Sequence, residues 1–344
     1  MTALDTVQDG SPVMKPGANP GSARIFRLFG WIVLAIMTAF FLLNNYLTYW
    51  QDLPGIGPVF RCKGQRVAAD PVVMAATGAL CPADPRGHRL CIEKNSSTLR
   101  EDSVRISNIN VYLIRAAFFA VLIVGLVDSA ISFLRIEGFL PALTGEQLAN
   151  DLGRAQFRGP YVHMPLIVLS LVIAAFTRTL GFTWLALLVV GAELLIVIGR
   201  FVFSYEQAFL ADLVRFWYAA LFLFASAYTL LEEGHVRVDV FYAGMQAKTK
   251  GYVNAVGSVI LGMSLCAVVL FIGFGGKQSI INSPILAYET TQAGFGLYVK
   301  YLMAGFLGVF AVSMLIQFVS YFLDAVADIR GEPGGRDHDS HTVQ

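Results

Sequence analysis

The sequence predicts an all-α integral membrane protein, and three observations carry that expectation. The 344 residues are 56% hydrophobic and only 14% charged, whereas soluble domains carry about 25% charged residues. The mean hydropathy is +0.62. Apolar runs long enough to cross a bilayer, which takes about 20 helical residues, recur at 26–49, 107–134, 180–203, 212–231, 252–275 and 298–323. That gives six transmembrane helices.

A further apolar run, His163 to Phe176, is shorter and is closed by Thr177, Arg178 and Thr179. It reads as a short re-entrant or interfacial helix within 161–179. The first span follows Arg24 and Arg27 but ends in NNYLTYWQ without a small-x-small cleavage site, so it is expected to stay as an anchor. Residues 1–22 and 331–344 are poor in large apolar side chains and rich in Gly, Pro, Asp and Ser, so both read as disordered tails. Between them the chain divides into an N-terminal part at 23–160 and a four-helix part at 180–330.

Orientation follows from the basic residues. The turn at 232–251 carries Arg237, Lys248 and Lys250, while the preceding turn has only Arg200 at its edge. Basic residues collect in cytoplasmic loops, so 232–251 and the C-terminus are expected in the cytoplasm. With six spans the N-terminus is cytoplasmic too, and the long loop at 51–104 is external. With seven spans, counting 163–176, that loop is internal. Cys62, Cys81 and Cys91 all fall in it, which fits an oxidising compartment and one disulfide of unassigned connectivity. A zinc site from these cysteines and His88 is disfavoured, because none of the pairs has C-x-x-C spacing.

Several function classes drop out. A net charge of +1 leaves no footprint for nucleic acid. FIGFGGKQS at 271–279 fails as a phosphate loop: Phe271 stands where the first Gly is required and Gln278 where Ser or Thr is. No histidine falls at the centre of a predicted span, as a haem ligand would, and no nucleophile-base pair or H-E-x-x-H helix is present. No cofactor or metal is implied, and the chain is not expected to be an enzyme.

Charges within the spans are few. Glu193 and Arg200 lie seven residues apart on one helical face. Arg200 reads as a snorkelling side chain, and Glu193 as a partner for a neighbouring helix or a ligand for a proton or cation. Asp128, beside Ser129, reads as a solvated or capped aspartate near the cytoplasmic end of the second span. No pair of broken helices marks a transport pathway, so a scaffold is favoured over a complete carrier.

The stretch LLEEGHVRVDV, residues 230–240, ends an apolar run at Gly234 and then alternates His235, Arg237 and Asp239 with valines. With IGRFVF before it, it resembles the small membrane subunit, DctQ type, of tripartite ATP-independent periplasmic (TRAP) transporters. The resemblance covers about 180–325 and rests on Arg200, Phe201 and Phe203, then Glu232, His235, Arg237 and Asp239. The second helix of that unit departs from the pattern, with Asp212 as its only acid and Trp217 shifted later. The resemblance implies a cell inner-membrane symport subunit that scaffolds a large permease subunit (DctM type). A periplasmic solute-binding protein (DctP type) would deliver a small, carboxylate-bearing solute, taken up with sodium. Membrane lipid is the remaining partner. Residues 1–179 would then be an N-terminal extension whose external loop widens the docking surface for the binding protein. An anchor for a membrane redox complex is the alternative reading.

Overall fold

The computed structural model describes residues 20–40, 98–179, 181–205, 207–232, 242, 244–290 and 296–333, and every regular element among them is helical. In chain order these are α1 (Pro20–Ala39), α2 (Leu99–Ile136), the short α3 (Leu140–Thr144) and α4 (Glu146–Leu152), and α5 (Ala155–Phe176). Then come α6 (Phe182–Val202), α7 (Ala208–Leu231), α8, the short α9 (Asn282–Leu286) and α10 (Lys300–Arg330). Helix α8 joins Ala247–Gly257 and Ser264–Phe274 through a π-helical turn, Ser258–Met263. Among the described residues, six helices (α2, α5, α6, α7, α8 and α10) are long and apolar enough to cross a membrane. The all-α membrane class is borne out.

Helix α2 is the mast of the bundle. Its 38 residues span about 57 Å at 1.5 Å per residue, and it packs against α10, α5 and α7. It starts at Leu99, eight residues before the predicted span at 107, because Thr98 and Glu101 form a reciprocal capping box. Its first turns are polar yet buried. Ser103, Ser107 and Asn110 follow one another at helical spacing and meet Ser320, Gln317 and Ser313 of α10. Ser103 Oγ donates to the Ser320 carbonyl at 2.9 Å, and Ser320 Oγ returns a bond to the Ser103 carbonyl at 2.9 Å. The Asn110 amide donates to the Ser313 carbonyl at 2.9 Å and to Gln317 Oε1 at 3.1 Å. Small polar residues let two helices approach closely while satisfying one another, the usual glue where hydrophobic burial gives no advantage over lipid.

Ion pairs fix the directions of the helices. Arg100, at the start of α2, reaches Asp324 at 2.7 Å and Asp328 at 2.8 Å near the end of α10. Glu332 accepts the Leu99 N–H at 3.2 Å, so the ordered chain continues past residue 331, where the C-terminal tail was expected to begin. Helix α1 starts at this same end: Arg27 Nε lies 2.5 Å from Asp102, and Phe26 and Phe29 stack edge-on against Phe322. The first two spans, expected to run antiparallel, instead run parallel, because α1 and α2 start from one end. This end, which also receives the end of α7 and the start of α8, is called the terminal end below. At the opposite, distal end Tyr205 donates to Glu137 at 2.7 Å, and that bond, more than its slight burial, raises the tyrosine pKa.

The short helix expected at 163–176 is the latter part of α5, a continuous helix of 22 residues, about 33 Å long. Arg158 and His163, which interrupt its apolar run in the sequence, are fully buried and paired. Polar residues at those positions shorten the apparent apolar run without shortening the helix.

Two apolar clusters fill the bundle. One joins α1, α8 and α10 through residues such as Leu270, Leu315, Val319 and Leu323. The other joins α2, α6, α7 and α10 around Phe118, Phe216, Phe224 and Phe306. In the second, Trp217 of α7 lies over Gly125 of α2 and donates Nε1–H to the Val121 carbonyl at 3.3 Å. A Cβ on Gly125 would stand 2.3 Å from Trp217 Nε1. Gly125→Ala is therefore expected to lower stability by about 1–3 kcal/mol through overpacking, read as a lower melting temperature in detergent. Adding Trp217→Leu, which clears the clash, should recover part of that loss.

Candidate functional site

The most concentrated chemistry in the protein is a buried network at the distal end, where α2, α5 and α10 meet. Asp128 of α2, Arg158 and His163 of α5, and Ser132 are each 0% exposed. Asp128 Oδ1 accepts from Arg158 Nη1 at 2.8 Å and faces His163 Nε2 at 3.1 Å. Asp128 Oδ2 accepts the Tyr298 N–H at 2.9 Å, just before α10 begins. His163 Nδ1 lies 2.8 Å from the Tyr301 hydroxyl, with the two rings nearly parallel. Both imidazole nitrogens are thus engaged, a pattern satisfied by a ring carrying its proton on Nε2 and accepting the Tyr301 O–H at Nδ1.

Local sequence explains how α5 presents two groups to one carboxylate. Residues five apart on a regular α-helix point about 140° away from each other. Here Gly159–His163 is a π-helical turn, closed by the Met164 N–H on the Gly159 carbonyl. Pro165 has no N–H to give the carbonyl four residues back, which loosens the regular ladder at this turn. The wider turn brings Arg158 and His163 onto the same side. Gly159 admits the Tyr288 ring, which a Cβ would meet at 2.2 Å.

Arg158 is held through Nε and Nη1, while its buried Nη2 has no hydrogen-bond partner. Its Nε donates to the Leu152 carbonyl at 2.5 Å and its Nη1 also reaches Ser132 Oγ at 3.2 Å. The guanidinium lies 4.4 Å from the centroid of the Tyr298 ring, a cation-π contact. Arg135 packs on that ring as well and bonds the Tyr298 hydroxyl. The Tyr298 hydroxyl in turn donates to the Gly153 carbonyl at 2.9 Å. Asp128 and Arg158 pair, and apart from Arg158 Nη2 their hydrogen bonds go to α2, α5, the segment before α10 and the α4–α5 turn. The arrangement joins elements rather than presenting a reactive group.

The expectation of a solvated Asp128 is corrected by this geometry. Asp128 is buried at the distal end, because Arg158, His163 and the Tyr298 N–H together replace its water. The apparent scarcity of paired polar groups inside the spans is corrected too, since the partners stand 26 to 170 residues apart in sequence.

The residues singled out from the sequence do not form one cluster. Arg200, Phe201 and Phe203 are exposed at the end of α6, the two rings at 79% and 72%. Asp212 pairs with Arg215 at 3.7 Å within α7. Trp217 is buried on α2, and Glu232 is exposed where α7 ends, its N–H on the Tyr228 carbonyl. His235, Arg237 and Asp239, and Cys62, Cys81 and Cys91, lie outside the described residues. Among the described residues no group of three His, Cys, Asp or Glu side chains converges as a metal site. Glu193 lies on the exposed side of α6.

Fold and network together define a multi-pass α-helical membrane protein whose buried charges join its own helices. Residues 187–328 match the family Tripartite ATP-independent periplasmic transporters, DctQ component. The matched region runs from α6 to the last turn of α10, less than half of the chain, and nearly coincides with the segment that carries the resemblance; α1 to α5 precede it. DctQ is a transporter-component family, not an enzyme family. No curated protein and no solved structure matches the chain.

Removing one member of a buried pair leaves an uncompensated charge, which costs about 3–5 kcal/mol, whereas replacing both by apolar residues is often neutral. Asp128→Leu should therefore lower the yield of folded protein sharply, and Asp128→Leu with Arg158→Leu should restore much of it. Size-exclusion profiles and melting curves in detergent make that comparison.

Proposed function

We propose that this chain is the small permease subunit of a TRAP transporter, in which it scaffolds a large many-span permease subunit. The observation that carries the reading is the DctQ match across α6 to α10, the helices that make up most of the bundle. The interior supports a scaffold: Asp128 pairs with Arg158 and His163, and the serine and amide seam joins α2 to α10, so its buried polar groups tie the bundle's own helices together. Transport of a small, carboxylate-bearing solute with sodium then belongs to the permease, fed by a periplasmic binding protein, in the bacterial inner membrane. The terminal end of the bundle faces the cytoplasm in this reading, since α7 ends there and leads into the 232–251 turn.

Deleting the gene should abolish uptake of the system's solute, and a plasmid copy should restore it. The tagged chain should bring down a permease of roughly a dozen spans on affinity purification. A coloured, haem-containing preparation, or a stable complex without any such permease, would instead support the redox-anchor alternative. Sidedness is checked separately in a background with Cys62, Cys81, Cys91 and Cys266 changed to Ser. A membrane-impermeant maleimide added to whole spheroplasts should label Ser279→Cys, between α8 and α9, and should spare Thr249→Cys at the start of α8.

A further inference from the structure

Glu193 contrasts with every other acid in the apolar middle of the bundle. It is the twelfth of the 21 residues of α6, so it stands near mid-depth of a membrane-crossing helix. Its side chain is on the exposed side, and among the described residues none hydrogen-bonds or ion-pairs with it. Asp128, by comparison, is met by a guanidinium, an imidazole and an N–H. A carboxylate left in hydrocarbon is costly and is rarely kept without a partner.

The helix that carries it is also the least covered. Only 11% of the apolar window of α6 is buried, against 22–44% for the other five candidate spans. Helix α6 packs on α7 and lightly on α2. Its opposite arc presents Trp184, Leu187, Val190, Leu194, Val197 and Phe201, all between 48% and 79% exposed. At 100° per residue Glu193 falls on the flank of that arc and Arg200, two turns on, on the same flank.

We infer that this arc of α6 is the surface on which the large permease subunit docks, and that a permease helix presents a lysine or arginine to Glu193 at mid-membrane depth. The inference rests on the small-subunit reading above. Charge complementarity selects the occupant. Lipid tails offer Glu193 nothing. A second copy of this chain, related by a two-fold axis along the membrane normal, would bring residues of equal depth together, and α6 carries no base at the depth of Glu193 to receive it. Phe40 and Leu99, the described residues nearest the 41–97 segment, lie beside α8 and the end of α10 and not beside α6.

The test uses the tagged full-length chain co-expressed with its permease. Glu193→Gln, which keeps the shape but not the charge, and Glu193→Leu should each reduce co-purified permease at least about fivefold while leaving the melting temperature of the chain alone unchanged. Glu193→Lys should abolish recovery, and a basic-to-acidic exchange on the permease should restore it. Cysteines at Val190 and Leu194 should cross-link to the permease. Normal recovery with Gln or Leu, a matching fall in the chain's own stability, or cross-links only to a second copy or to residues 41–97 would overturn the inference. If the unaltered chain brings down no permease, the small-subunit reading itself fails. If it does so and the variants match it, only the docking surface is refuted.

Discussion

The bundle depends on a single carboxylate. Asp128 neutralises Arg158, fixes the ring of His163 and takes the backbone N–H that precedes α10, so one side chain ties α2, α5 and α10 together at the distal end. Each member is too costly to bury by itself, since an isolated charge in an apolar interior is penalised far beyond the worth of one hydrogen bond. The group is therefore present as a whole or not at all. The π-helical turn of α5 exists in the service of that arrangement, because only a widened turn aims residues 158 and 163 at the same oxygen.

At the other end the same two long helices are joined by a different chemistry. The serine, asparagine and glutamine seam between α2 and α10 places small side chains at helical spacing on both partners. Interhelical hydrogen bonds of this kind are worth about 0.6 kcal/mol each on average, so the seam sets register and close approach more than it supplies stability. Arg100 on Asp324 and Asp328 then closes the terminal end. The result is that α2, which lies outside the DctQ region in sequence, is in the middle of it in space. Trp217, a residue of the matched region, has its ring seated on Gly125 of α2. The extension is built into the bundle rather than appended to it.

The contrast between Asp128 and Glu193 separates the inside of this protein from its outside. Both are acids in membrane-crossing helices with apolar neighbours in sequence, and neither is distinguishable from the other by composition or period. Asp128 faces α5 and the segment before α10 and finds its partners within the chain. Glu193 stands on the exposed flank of α6 and has no partner among the described residues.

Composition and apolar run length alone determined that this is a multi-pass α-helical membrane protein, because water cannot solvate a backbone in hydrocarbon and only a helix of about 20 residues satisfies it across that depth. The GHVRVDV stretch and the four helices around it were enough to place the DctQ region. What the sequence hid is whatever depends on pairing at a distance. Arg158 and His163 made α5 look too short to cross, Asp128 looked solvated, and Ser103 fell in the 51–104 loop, since a polar residue looks the same in sequence whether water or a distant helix satisfies it. Only the tertiary structure decided which helix supplies the partner, that α1 and α2 start from the same end, and which charged side chain is left facing outward.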